Sequence, residues 1–386
     1  MHSKVIKSII IIALAILFST GSALAADPVK IGVIYPLTGS NAAAGSYQKA
    51  GVVIAADKIN KDGGILGRPV KLFIEDGAND PAQSVSAAEK LVTRDKVDAM
   101  IAAWGSSPTL AVSASVTRKY GVPQVVDTAS SVKVTMKDGK RPNPWLFRIS
   151  PTSRMEAESV ENYLVSKAGF SKVAFLPVNN DWGRGAAQEF STVIKRTGGK
   201  VVATEIINGG QTDFLNQLTK IKGAGANAII VTTDLAQISL ILKQYQQLGM
   251  KQKILTTGGG IVPEGLVMLA GAKAAEGVNI ITFFAPWFPE KTKIPAEAKW
   301  FVDEYLNRGN PSKGFGECFR GYDGMKAIKA AIELAGTTDK EKVRQAFQKV
   351  KVDGLSGTIQ FDEFGQSRPN LMVVQVKDGK PYIPQY

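Results

Sequence analysis

The chain has 386 residues, 44% of them hydrophobic, which is enough material for two compact domains. Its only cysteine is Cys318, so a disulfide within the chain is excluded. The formal charge is +13, but the lysines and arginines are scattered and form no basic block. We therefore interpret the charge as a solvated basic surface and predict no nucleic-acid partner.

The first 25 residues have the pattern of a cleaved signal peptide. Lys4 and Lys7 precede an apolar run over residues 9–18, and Ala23-Leu24-Ala25 forms a cleavage motif of small residues. The run is shorter than the roughly 20 apolar residues that a spanning helix needs. We predict export to the periplasm with a mature chain that starts near Ala26. No cysteine lies at the cleavage site, so we predict no lipid anchor.

Composition also argues against catalysis. The single histidine, His2, lies in the predicted signal peptide, and removal of this segment would leave a charge of +11. A chain without histidine lacks the commonest general base and the usual zinc ligand. Gly63-Gly64-Ile65-Leu66-Gly67 follows a predicted helix and lacks both nucleotide-binding glycine spacing and a P-loop lysine, so we interpret it as a turn. We predict no enzyme activity, no metal and no cofactor.

From residue 29 onward, short β-rich runs alternate with amphipathic stretches. The pattern predicts strands at residues 29–35, 70–75, 99–102, 122–126, 173–178, 201–206 and 228–231. It predicts helices at 45–60, from 81, and at 108–119, 152–168, 185–196, 214–222 and 235–248, the last ending at Gly249. The alternation restarts after Pro151, which indicates two α/β lobes with parallel sheets.

Short motifs along essentially the whole processed chain resemble the leucine/isoleucine/valine-binding family of ABC-transporter solute receptors. The motifs are Gly32-Val33-Ile34-Tyr35-Pro36-Leu37-Thr38-Gly39, Ala55-Ala56-Asp57-Lys58-Ile59-Asn60, Gly63-Gly64-Ile65-Leu66-Gly67, Asp76 with Asp80-Pro81, Gly105-Ser106-Ser107-Pro108, Trp182-Gly183-Arg184-Gly185 and Gly210-Gln211-Thr212-Asp213-Phe214. Each motif is weak alone, but their order and spacing are specific.

The resemblance implies a type I periplasmic binding protein, with two doubly wound parallel-sheet lobes joined by a three-strand hinge. Lobe 1 would combine residues 27–148 and 283–357, and lobe 2 would combine 149–282 and 358–386. It implies a monomeric receptor that closes around the carboxylate of an amino acid, branched-chain or related, and delivers it to the membrane permease of an ABC importer. Two alternatives stay open: a receptor for an amine-free aromatic or aliphatic carboxylate, and a sensory ligand-binding module.

Candidate ligand contacts in the first lobe follow two predicted strands. Ser106 and Ser107 lie between a strand end and a helix start, where open α/β sheets bind ligands and where unpaired N–H groups suit a carboxylate. Simple helix capping by Ser106 is the alternative. By resemblance, Ser106 would hold the ligand carboxylate, Thr128 would contribute backbone groups, and Ser130 would offer its hydroxyl and amide.

Aromatic and small residues complete the predicted pocket. Trp182 matches a family position that closes over the ligand, although ordinary packing would also explain a tryptophan there. Trp104 is a candidate for a second wall. Ala44 stands where leucine-type members can have a tyrosine, which predicts a roomier pocket.

One departure from the family pattern concerns the ligand's ammonium group. The acidic partner of the ammonium would fall at about Gly259, within a run of three glycines, so that carboxylate is missing. Asp234 could replace it or could cap the helix that follows. Asp181 is a second candidate. If neither reaches the ligand, a buried ammonium would lack a counter-charge, and an amine-free carboxylate would be the better ligand.

Overall fold

The computed structural model of the chain describes residues 27–165 and 167–384. The predicted signal peptide, including His2, lies outside these residues. The strands are β1 (Val29–Tyr35), β2 (Val70–Asp76), β3 (Ala99–Ile101), β4 (Gln124–Val126), β5 (Leu146–Arg148), β6 (Lys172–Pro177), β7 (Lys200–Thr204), β8 (Ala228–Thr232), β9 (Lys253–Thr256), β10 (Asn279–Thr282), β11 (Lys351–Gly354), β12 (Gly357–Gln360), β13 (Met372–Lys377) and β14 (Lys380–Tyr382).

The helices alternate with these strands. They are α1 (Ala42–Lys61), α2 (Pro81–Thr93), α3 (Ser106–Val112), α4 (Arg118–Tyr120), α5 (Ser153–Ser159), α6 (Glu161–Leu164), α7 (Asp181–Arg196), α8 (Leu215–Gly223), α9 (Leu235–Gln247), α10 (Pro263–Ala270), α11 (Ala272–Ala275), α12 (Pro295–Asn307), α13 (Phe315–Ala335) and α14 (Lys340–Phe347). A π-helical turn over Ser113–Thr117 joins α3 to α4. Among the described residues, no helix is long and apolar enough to cross a bilayer.

Two sheets organise the molecule. The first is fully parallel, in the order β2-β1-β3-β4-β5, and the second has the order β14-β13-β10-β9-β8-β6-β7. In the second sheet, β13 and β14 pair antiparallel at one edge. The remaining pair, β11 and β12, forms a separate antiparallel hairpin. This architecture confirms the predicted α/β class with two sheet-based lobes.

Both sheets are covered by helices on their two faces. In the first lobe, α1 and α13 bury one face around residues such as Val33 and Phe319, and α2 buries the other through Ala88 and Leu91. The second sheet likewise has two apolar cores. Strands buried on both faces are almost entirely apolar, which is why the sequence of β8 reads Ala-Ile-Ile-Val-Thr.

The chain passes between the sheets at the ends of strands. It leaves the first sheet after β5, at Arg148, and leaves the second after β10, at Thr282. It rejoins the second sheet at Met372, after the β11–β12 hairpin, whose Ile359 belongs to the core of the first lobe. The lobe boundaries that were expected from the resemblance remain a prediction.

Candidate ligand-binding site

A cavity of about 140 Å³ lies between the two lobes, at the carboxyl ends of strands from both sheets. Open parallel sheets bind ligands at this edge because the loops after several strands converge there. The lining residues are Ser40, Asn41, Ala43, Ala44, Tyr47, Trp104, Gly105, Ser106, Thr128, Ala129, Ser130, Trp182, Thr233, Asp234, Leu235, Ala236, Thr257, Gly258, Gly260, Ile261, Leu269, Lys313, Glu317 and Arg320. Seven of the nine predicted site residues are among them; Ser107 and Asp181 are not.

Ser106 does not cap helix α3. Gly105 occupies the cap position with a φ of +86°, and no side chain caps the helix. Instead, the Ser106 hydroxyl accepts a hydrogen bond from the backbone N–H of Ser131 at 3.1 Å. The hydroxyl therefore links the loops after β3 and β4, and its proton remains available to a ligand in the cavity.

The loop after β4 is held in place by hydrogen bonds with Gln48, Arg148 and Ser153. The fully buried Arg148 donates to the carbonyls of Ala129 (2.9 Å) and Ser131 (2.6 Å). The Thr128 hydroxyl accepts from the Gln48 amide, and the Ser130 carbonyl accepts from Ser153 N–H at 2.8 Å. This network fixes the backbone, while the Ser130 hydroxyl lines the cavity without a hydrogen-bond partner in the described chain.

Two tryptophans and a small residue shape the cavity. Trp104 is only 9% exposed and lies beside Ser106, and Trp182 enters from the second lobe. The Trp182 ring lies against Gly258, where an added β-carbon would come within 2.5 Å of its Cζ2 atom. Ala44 lines the cavity from α1 and contributes only a methyl group.

Ser107 and Asp181 pair with each other. The Ser107 hydroxyl donates to Asp181 Oδ2 at 2.8 Å, and Asp181 N–H donates back to the same hydroxyl at 3.3 Å. Ser107 lines the adjoining part of the cleft, a volume of about 310 Å³. The structure therefore joins these two predicted residues as a contact between the lobes.

Asp234 lines the cavity and also caps helix α9. One of its carboxylate oxygens accepts from Gln237 N–H at 2.9 Å, and the other accepts from the Asn41 amide at 3.3 Å. Burial raises the pKa of Asp234, although these hydrogen bonds lower it. Asp234 therefore caps the helix, which was one of its two predicted roles, and both of its carboxylate oxygens already accept a hydrogen bond.

Glu317 and Arg320 in helix α13 were missed by the sequence analysis. They lie one turn apart on a largely buried helix, with Arg320 Nε 3.1 Å from Glu317 Oε2. A charged pair among buried residues such as Cys318 and Phe319 is the signal that would have revealed them. Burial raises the pKa of Glu317 to about 7, against the opposing effects of the Arg320 charge and the nearby Trp104 indole.

Arg320 connects α13 to the loops of both lobes. It donates to the carbonyl of Gly258 at 2.6 Å, to that of Gly316 at 3.1 Å and to that of Asp127 at 3.4 Å. Its guanidinium stacks on the Phe283 ring, 4.4 Å from the centroid. Three backbone acceptors and an aromatic face hold the cation in one place beside the cavity.

A second buried carboxyl group holds the glycine run from the other side. Glu156 in α5 accepts from Gly258 N–H at 2.8 Å through Oε1, and its Oε2 atom has no hydrogen-bond partner in the described chain. Burial raises the pKa of Glu156 to about 7. The backbone of Gly258 is therefore fixed at its N–H by an acid of the second lobe and at its carbonyl by Arg320 of α13.

The three glycines are required by their neighbours. Gly258 and Gly259 have φ angles of +90° and +67°, which favour glycine. A β-carbon at Gly259 would lie 1.9 Å from the Phe283 ring, and one at Gly260 would lie 2.1 Å from Glu317 Oε1. The space that an acidic side chain would need at 259 is filled by Phe283, and the carboxylate of Glu317 reaches Gly260 instead.

The sequence matches known proteins over nearly all of its described length. A family model for periplasmic binding proteins matches residues 28–381. The chain belongs to this family. The binding protein is 31% identical to a Leu/Ile/Val-binding protein homolog of Brucella melitensis, over 98% of this chain and 99% of that relative.

Solved structures of solute-binding proteins share the fold of this chain. A branched-chain amino acid substrate-binding protein, LivJ of Streptococcus pneumoniae, which was crystallised with isoleucine, superposes with a TM-score of 0.81 at 27% identity. The alignment covers 92% of this binding protein and 98% of LivJ. A solute-binding protein of R. palustris in complex with 4-hydroxybenzoate shares the fold, with a TM-score of 0.80 at 23% identity and coverage of 93% and 96%.

Proposed function

We propose that this binding protein captures an amino acid, branched-chain or related, in the periplasm and presents it to the membrane permease of an ABC importer. In this proposal the protein acts as a monomer and catalyses no reaction. The single observation that carries the proposal is the pair of hydroxyl groups, Ser106 and Ser130, at the convergence of strand ends between the lobes. Hydroxyls and backbone N–H groups in this arrangement suit a carboxylate.

The residues that line the cavity suit a small ligand with an apolar part. Trp104, Trp182 and Ile261 provide apolar surface, while the polar groups cluster at the serines and at α13. Small-molecule sites have this combination of apolar walls with a few placed polar groups. The similarity to leucine/isoleucine/valine-binding relatives agrees with this chemistry.

A receptor for an amine-free carboxylate is the second candidate. The observation that favours it is the absence of an acidic side chain at Gly259, together with two tryptophan walls. The two candidates differ in one group of the ligand, the ammonium.

A thermal-shift screen tests the proposal. The processed protein, refolded to remove carried ligand, would be tested against amino acids and against amine-free aromatic and aliphatic acids. A ligand at 100 times its dissociation constant adds about 2.7 kcal/mol, which raises the melting temperature by several degrees. Shifts with amino acids would support the first candidate, and shifts with amine-free acids alone would support the second. No shift with any carboxylate would contradict both.

A further inference from the structure

We infer that the Glu317 carboxylate in helix α13 binds the ammonium group of the ligand and thereby makes the protein selective for amino acids over amine-free acids. This inference rests on the proposed function and assigns one residue of the same cavity to one group of the ligand.

Glu317 has the position that this role requires. It lines the cavity that Ser106 and Ser130 also line, and the residue is only 7% exposed. Its Oε2 atom is buried and has no hydrogen-bond partner in the described chain, because the nearby Arg320 Nε–H donates to the Gly316 carbonyl. The Arg320 charge and the Trp104 indole stabilise the carboxylate in part, but a buried oxygen without a hydrogen bond is still costly, and a ligand ammonium would supply one.

The two acids that the sequence predicted near the ligand already accept hydrogen bonds. Asp234 uses one oxygen to cap α9 and the other to accept from Asn41. Asp181 accepts from the Ser107 hydroxyl, outside the set of residues that line the cavity. Asp127 and Glu156 each have a buried oxygen without a hydrogen-bond partner, but neither residue lines the cavity. Of the acids that line the described cavity, Glu317 is therefore the one with a carboxylate oxygen left to accept a hydrogen bond.

The glycine run explains how an acid on α13 can reach the proposed site of the ligand's ammonium group. Any side chain at Gly260 would collide with Glu317 Oε1, since even a β-carbon would lie 2.1 Å away. The glycine thus leaves room for the carboxylate that approaches from the other lobe. The acid that is missing from the loop after β9 is replaced, in space, by one on the facing helix.

Charge balance favours a zwitterion. The charged residues that line the cavity are two of each sign, Lys313 and Arg320 against Asp234 and Glu317, and a bound amino acid adds no net charge to them. An amine-free carboxylate would add a negative charge next to Glu317 and leave the Oε2 atom without a hydrogen-bond donor. Repulsion and an unsatisfied polar atom of this kind disfavour the wrong ligand. Burial raises the pKa of Glu317, and a neighbouring ammonium would lower it again.

The test compares matched ligands by titration calorimetry. L-Leucine, L-isoleucine and L-valine would each be paired with the acid that lacks the amine, which are 4-methylpentanoate, 3-methylpentanoate and 3-methylbutanoate. We expect the wild-type protein to prefer the amino acid by about 100-fold or more. In Glu317→Gln, affinity for the amino acid should fall by about 10- to 100-fold, and affinity for the amine-free acid should change by less than about 3-fold.

Two further variants make the outcome decisive. Glu333→Gln, at an exposed site on the same helix, should bind like the wild type. Gly260→Ala keeps the acid but displaces its carboxylate, and should reduce the amino-acid preference even if Glu317→Gln fails to fold.

A wild-type preference that survives in both Glu317→Gln and Gly260→Ala would overturn the inference. Wild-type binding of amine-free acids at equal or greater affinity would overturn it too, while leaving a carboxylate receptor. Absence of binding to any of the six compounds would instead overturn the proposed ligand class, and the inference with it.

Discussion

At the residue scale, the Ser106 hydroxyl carries the clearest prediction about binding. Ser106→Ala removes the hydroxyl that we propose as a donor to the ligand carboxylate, and with it the acceptor of Ser131 N–H. We expect binding to weaken by about 1–3 kcal/mol, as measured by titration calorimetry. Ser86→Ala, at an exposed site on α2, is the control and should leave the affinity unchanged. Equal affinities for Ser106→Ala and the wild type would show that the hydroxyl only ties the two loops together.

Glu156 makes a prediction about pH. Because the pKa of Glu156 in the folded protein, about 7, lies above its ordinary value of 4.5, the folded state holds a proton that the unfolded state releases. The free energy of unfolding should therefore decrease as the pH rises from about 4.5 to 7. Glu156→Gln should remove about 1–3 kcal/mol of this decrease, measured by urea unfolding of the ligand-free protein at pH 5 and pH 8.

The control for this pH effect is a neighbouring acid. Glu158→Gln changes an exposed residue on the same helix, so its stability should follow the pH dependence of the wild type. Glu317 should keep part of the dependence in Glu156→Gln, because burial raises its pKa in the same direction. A pH dependence that is unchanged in Glu156→Gln would mean that this carboxyl group is not protonated in the folded protein.

The site residues that could be predicted are those in the loops after strands. Ser106, Thr128 and Ser130 follow apolar runs that mark strands, so their convergence is a consequence of the parallel sheet. Glu317 and Arg320 could not be placed in this way, because they belong to a helix that lies far away in sequence. Their approach to the cavity depends on how α13 packs on α1, which no local pattern specifies.

At the scale of elements, the loop after β9 determines where α13 can approach. Gly259→Ala forces a β-carbon into the Phe283 ring and places alanine at a φ of +67°. We expect it to lower the free energy of unfolding by about 2–4 kcal/mol, measured by urea unfolding. Gly277→Ala separates the two effects, because its φ is +76° but no atom lies within 4 Å of the added carbon. If both variants lose equal stability, the collision with Phe283 contributes nothing.

The seven predicted strands lie within a few residues of seven of the fourteen strands in the described chain, and no strand or helix beyond residue 249 was predicted. Two of the predicted helices are interrupted, for local reasons. The helix expected over residues 152–168 is interrupted at Val160, next to Ser159, whose hydroxyl donates to the Glu156 carbonyl and competes with the helical hydrogen bonds. The helix expected over residues 108–119 contains the π-helical turn. The hairpin of β13 and β14 was not predicted, although its Asp378-Gly379 turn, with φ angles of +50° and +71°, is a typical hairpin signal.

At the scale of the whole molecule, hydrogen bonds between three pairs of residues cross the cleft around the cavity in the described chain. They join Ser107 to Asp181, Asn41 to Asp234, and Arg320 to Gly258. Bonds that form only when the lobes meet contribute to closure in addition to the ligand itself. Of these pairs, Ser107 and Asp181 lie outside the set of residues that line the cavity, so their contact can affect the balance between open and closed forms separately from the ligand.

Ser107→Ala tests this balance. Loss of one hydrogen bond between the lobes should shift the ligand-free protein toward the open form and weaken ligand affinity by about 2- to 10-fold. Small-angle scattering with and without ligand would measure the first effect, and titration calorimetry the second. Ser86→Ala again serves as the control. Identical scattering and affinity for Ser107→Ala and the wild type would show that the contact with Asp181 is incidental.

The buried thiol has a practical consequence. Cys318 is the only cysteine of the chain, it is fully buried in the core of the first lobe, and burial raises its pKa well above the usual range. The thiolate is the reactive form, so the folded protein presents no native competitor to a thiol-directed dye. A cysteine introduced at the exposed Ser40, on the edge of the cavity, would carry a single fluorophore. The wild-type chain is therefore ready for conversion into a fluorescent sensor of its own ligand without prior removal of other thiols.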